Sequence, residues 1–248
     1  MKEKIGNIFN LSWHLAKVNF KLRNEGSYLG IFWYLLDPLL MFLVLYAVFS
    51  QNIGLQINHY PLYLLAGLII FNFFSSVTSE SASIISSNSH FIKSINIPAE
   101  SLIFSLLFRN IFSHLFEIII FCLFLAYFKL SVLGIIFYLP LFLLLFLFTA
   151  GISFILATLG VYANDLNNVW RFILQVLFFS SAIFYQYDPS ITILKYNPLA
   201  IFINLNRQAF ISLQKPEISW LFLILVSSVF LIGYAIFTKN KQKFAERI

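Results

Sequence analysis

Glu117, with Ser113 one helical turn before it and His114 three residues before it, puts a carboxylate, a hydroxyl and an imidazole on one face of any helix through this stretch. The surrounding sequence is apolar, and burying an ionisable group in a membrane costs about 3 kcal/mol unless it faces protein or a water-filled cavity. A pore-lining or proton-sensitive site fits these groups. So does an interhelical packing hydrogen bond, which is the commoner use. Asp37, beside Pro38, is a second acidic group at the edge of an apolar run, placed to pair with Arg23 or Arg109 or simply to end a helix. Tyr34, Phe178, Phe179, Tyr185 and Tyr187 offer flat faces over which a neutral polymer slides through weak, repeated contacts. The competing reading is that phenylalanine faces lipid and tyrosine gathers at membrane interfaces.

Other chemistries are excluded or disfavoured. The four histidines, at positions 14, 59, 90 and 114, are scattered, and neither metal-ligand spacing nor a carboxylate pair accompanies them. None of the nine glycines precedes a lysine, so the chain has no Gly-Lys-Ser/Thr phosphate loop and cannot itself burn ATP. Cys122 is the only cysteine, which rules out an internal disulfide.

The elements that must position these groups are membrane helices. Hydrophobic residues make up 60% of the 248 and charged residues 10%, against about 25% charged in a soluble domain. Crossing about 30 Å of hydrocarbon takes roughly 20 residues. Windows of that kind cover 31–50, 60–78, 102–128, 132–162, 169–185 and 220–238. The expected fold is therefore one all-α membrane domain of six transmembrane helices, with both termini on one side. The third and fourth windows exceed a bilayer and should tilt, bend or protrude, with Ser131 and Gly134 turning the chain between them. Residues 188–218, punctuated by Asp188-Pro189 and Asn197-Pro198, read as one or two short re-entrant or interfacial helices.

Twelve of the 16 Lys and Arg residues fall on one side of this arrangement. Lys129, Lys195, Arg207 and Lys215 fall on the other, so both termini are expected in the cytoplasm. The net charge of +6 sits at membrane edges, which suits anionic lipid headgroups and not nucleic acid. Residues 1–26 carry no compact apolar core with a cleavage site; they form an amphipathic interfacial helix instead. Ser12 and Asn19 interrupt its apolar arc, where they are placed to bond another helix. Between the second and third spans, residues 84–101 hold Phe91, Ile92, Lys93, Ile95, Ile97 and Pro98. A short helix there can plug a groove on a partner, or be an ordinary interfacial loop.

Several stretches, taken together and in order, resemble the permease subunits of bacterial polysaccharide-export ABC transporters. Leu29-Gly30 with Trp33 and Pro38-Leu39 is similar to that family's opening of the first span, and Trp33, Tyr34 and Asp37 fall within it. Tyr63 to Leu68, Phe91-Ile92-Lys93 with Ile97-Pro98, Gly160 to Leu166, Ile183-Phe184-Tyr185, and Asn197-Pro198-Leu199 with Arg207 continue the series. The family usually has Arg where Asn164 stands and Pro where Ala182 stands.

The resemblance implies a homodimer in the bacterial inner membrane, working with two copies of a separate ATPase that holds ATP and Mg²⁺. It implies a coupling helix at residues 84–101, a substrate entrance near Asp37, and an external gate that includes Asn197, Pro198 and Arg207. The cargo it implies is a lipid-linked O-antigen, capsule or teichoic-acid-like polymer. Export of a small drug-like molecule and an intramembrane transferase are the alternatives.

Overall fold

The structure is a computed structural model describing residues 2–22, 25–95, 97–163 and 165–247, with backbone alone described at 2–5, 31, 95 and 245–246. Every regular element among them is helical. Helix α1 is Lys2–Leu22, α2 Trp33–Phe49, α3 Tyr60–Ser81, α4 Ile84–Ser87, α5 Ser89–Ile95 and α6 Ala99–Tyr127. Then come α7 Ile135–Gly160, α8 Leu166–Ser180, α9 Thr192–Tyr196, α10 Pro198–Phe210, α11 Trp220–Asn240 and α12 Phe244–Arg247.

Among the described residues, four helical stretches are long and apolar enough to cross a membrane: Tyr60–Ser81, Ala99–Tyr127, Val132–Gly160 and Trp220–Lys243. The chain is thus a multi-spanning membrane protein. The other two expected windows are shorter as helices. Helix α2 has 17 residues and α8 has 15, about 25 and 22 Å at 1.5 Å per residue. Helix α8 stops at Ser180 because the backbone reverses at Ala182, whose φ is +53°. Proline is locked near −65° and would not fit this position as the backbone stands here.

Helix α3 is the centre, with α6, α7 and α10 packed around it. Helices α7 and α11 form the most extensive pair because Gly151 and Gly233 let their backbones meet. A Cβ on Gly233 would lie 2.2 Å from the Gly151 carbonyl oxygen, and one on Gly151 would lie 2.7 Å from the Val229 carbonyl oxygen. Between α6 and α7, Ser131 Oγ accepts from the Leu133 N–H at 3.2 Å, forming the turn expected there.

Helix α1 keeps Asn10, His14, Lys17 and Lys21 exposed. Its other face packs on α6, where Phe9 meets Phe108 and Trp13 meets Phe112. Ser12 and Ala16 are fully buried. Ser12 Oγ donates to the Ile8 carbonyl of its own helix, and Asn19 is exposed, so neither makes the bond to another helix that their positions suggested. The segment at 188–218 contains two helices, the short α9 and the deeply buried α10.

Candidate functional site: a polar cleft and a tyrosine–arginine lock

A polar cleft of 180 Å³ opens where α2, α3 and α6 meet. Helix α6 supplies Asn110, Ser113 and Glu117, and the spacing of three to four residues puts them on one stripe. Helix α3 adds Asn72 and Ser76, and α2 adds Tyr34, Asp37, Pro38 and Met41. Glu117, 8% exposed, starts a chain of bonds that spans three helices. Its Oε1 accepts from Asn72 Nδ2 of α3 at 3.3 Å, and its Oε2 lies 3.0 Å from His114 Nδ1. His114 Nε2 in turn meets the Tyr138 hydroxyl of α7. One proton arrangement satisfies every atom of this chain: Tyr138 O–H donates to Nε2, and Nδ1–H donates to Glu117.

Tyr34 is stacked on Phe20 of α1 at 4.6 Å and donates its hydroxyl to the Phe20 carbonyl at 3.2 Å. Trp33 Nε1 donates to Ser27 Oγ at 2.9 Å, which ties the preceding loop to the first turn of α2. Asp37 is exposed and, among the described residues, makes no hydrogen bond or ion pair. The suggested pairing with Arg109 does not occur, because Arg109 is bonded to Glu80 of α3. Arg23 lies outside the described residues, as does Asn164.

The second cluster is on another side of α3. Phe71 meets Phe178 of α8 edge-on at 5.2 Å, while its neighbour Asn72 faces Glu117. The aromatic residues expected to share one lining are therefore divided: Tyr34 belongs to the cleft, whereas Phe178, Tyr185 and Tyr187 gather at the end of α8. Phe179 is 63% exposed.

Arg207, 4% exposed, organises this end. Its guanidinium donates to the Tyr63, Ala182 and Ile183 carbonyls at 3.1, 2.7 and 2.6 Å, and lies 3.3 Å from the centre of the Tyr63 ring. The Tyr63 hydroxyl donates to the Tyr185 carbonyl and accepts from the Tyr187 N–H, each at 3.1 Å. Gly67 leaves the room, since a Cβ there would sit 2.8 Å from an Arg207 nitrogen. Asn197 caps α10 by accepting from the Leu199 and Ala200 N–H groups, Pro198 supplies the first helical residue, and Asn197 Nδ2 donates to Ser180 and Ser181. Nearby, the Ser190 side chain and then its backbone N–H, the latter at 2.8 Å, hold the Asp188 carboxyl below its ordinary range.

Between α3 and α6, helix α5 presents Phe91, 46% exposed, while Ile92 turns toward the core. Lys93 is exposed, Ile97 is half-buried, and Pro98 opens α6. The Ile95 side chain lies outside the described residues. Just beyond, Glu100, 5% exposed, is bonded to Lys241 at the end of α11.

The family model for the ABC-2 type transporter matches residues 10–211, which takes in the cleft, α5 and the Arg207 lock. This chain belongs to that family. An O-antigen export system permease protein RfbA from Klebsiella pneumoniae is 29% identical over 254 residues, covering 99% of this chain and 98% of the relative. A protein of the same name from Myxococcus xanthus is 26% identical over 243 residues, covering 94% of each. As an ABC-2 type permease the chain is a transport subunit and not an enzyme, and its family works with a separate ABC ATPase.

Sequence reasoning about this ABC-2 type permease missed Asn72, Ser76 and Asn110 in the cleft, and Tyr63 in the lock. A lone asparagine within the 60–78 window was the available signal for the first. Tyr63 stood only within a family motif, and the carbonyls that Arg207 gathers carry no residue-type signature at all.

Proposed function

We propose that this permease is the membrane-spanning subunit of an ATP-driven exporter that moves a lipid-linked polysaccharide, of O-antigen, capsule or teichoic-acid type, across the bacterial cytoplasmic membrane. The observation that carries the reading is the end-to-end similarity to proteins named as O-antigen export permeases. Two copies of the chain work with two copies of the ATPase, which holds the ATP and Mg²⁺. Helices α2 and α8 complete six crossings, both termini are cytoplasmic, and α1 lies against anionic lipid with its lysines outward. Phe91 and its neighbours receive the ATPase stroke. Substrate enters near Trp33, Tyr34 and Asp37, passes the aromatic residues, and leaves past a gate formed by Asn197, Pro198 and Arg207. The bonds from Arg207 to the carbonyls of Tyr63, in the first turn of α3, and of Ala182 and Ile183, just past α8, support placing that gate at one end of the bundle.

Deleting the chain should abolish surface polymer while the lipid-linked precursor accumulates inside, as read by polymer immunoblot and lipid extraction. Ile92→Pro, which breaks α5, should abolish export with membrane level unchanged. Intact surface polymer on deletion, with the partner ATPase stimulated by small amphiphiles, would instead favour a small-molecule exporter.

A further inference from the structure

The geometry points to the α2–α3–α6 cleft as a binding station for one neutral sugar unit of the cargo, closed to phosphate; this rests on the polysaccharide reading above. The 180 Å³ volume is on the scale of a single pyranose ring. Its acceptors are the carboxylates of Asp37 and Glu117, and its mixed donors and acceptors are Asn72, Ser76, Asn110 and Ser113. Sugar hydroxyls donate to carboxylates in charge-assisted bonds, the stronger class of hydrogen bond. Pro38 and Met41 supply an apolar wall for the C–H face of the ring.

No Lys or Arg lines the cleft among the described residues, and Arg109, one turn below Ser113, is committed to Glu80. A phosphate would face the carboxyl groups of Asp37 and Glu117 with no Lys or Arg in the lining to neutralise it, so it is disfavoured. The wall also holds a polar atom in need of a partner, because Ser113 Oγ is buried and makes no hydrogen bond. Outward along the same seam, the next groove is lined by Phe42, Leu123, Phe124 and Phe128 and contains no base either. The sugar held here is therefore one remote from the phosphate of its lipid anchor.

The test uses the permease–ATPase complex in lipid vesicles and two photoreactive probes of equal chain length, a diazirine-tagged alkyl β-glucoside and a diazirine-tagged alkyl phosphate, with cross-links mapped by mass spectrometry. The glucoside should label the cleft stretches of α2, α3 and α6 and the phosphate should not. Asp37→Lys, which alters an exposed and unbonded side chain, and Ser76→Leu, which fills the cleft, should each lower glucoside labelling about tenfold. Asp37→Lys should also admit the phosphate probe.

Equal labelling of the cleft by both probes overturns the assignment, as does glucoside labelling that survives both substitutions. Displacement of the glucoside by sodium but not by choline also overturns it, by marking a cation site. Polymer export is scored separately in cells: loss of the export reading leaves the labelling result standing, and loss of labelling leaves export standing.

Discussion

Among the described residues Arg207 has no carboxylate partner, yet it is almost wholly buried, because three backbone carbonyls and the Tyr63 ring replace water around its guanidinium. Removing it leaves carbonyls unpaired in a dry setting, at about 1–3 kcal/mol for each group stranded. Arg207→Met should therefore lower the unfolding midpoint of the purified protein in micelles substantially. Arg207→Lys should rescue little, since an ammonium cannot span three acceptors in a fixed fork. In the Glu117 chain, His114→Ala strands two partners and Tyr138→Phe strands one. The former should cost about 2 kcal/mol and the latter about 1, compared by thermal unfolding under identical conditions. The spacing of His114 and Glu117 made their contact legible in sequence. The contribution of Asn72 was not, since hydropathy does not reveal which way one asparagine turns in an apolar helix.

Among the elements, the long apolar helices α3, α6, α7 and α11 were legible because length and composition decide them. Helix α8 was read too long, since hydropathy continues through Ile183 and Phe184 while the backbone has already turned at Ala182. Ala182→Pro should destabilise the turn, detected as faster proteolysis within residues 181–190. The amphipathic pattern of α1 was also legible, but the same pattern serves a lipid surface or a protein neighbour, and α6 takes much of its apolar face. Gly151→Leu should force α7 away from α11 and cost about 3 kcal/mol, with reduced membrane-extracted yield as the simplest readout.

For the whole molecule, the six crossings proposed above have a direct consequence. With Cys122 replaced by serine, Asn7→Cys and Gln242→Cys should both resist an impermeant maleimide in intact cells and react after permeabilisation. Labelling of one terminus alone would leave an odd number of crossings. Family and permease role were legible because the motifs recur in order along the chain, whereas the split of the aromatic residues between two sides of α3 depended on a helix rotation that no motif encodes.

The glycine contact between α7 and α11 also limits how the machine can move. Backbones in direct contact leave no clearance for sliding, so that pair is expected to move as one body, with the Glu100–Lys241 link joining it to α6. The travel that opens a passage is then expected of helices held less firmly, such as α8, in which Leu174 alone is buried.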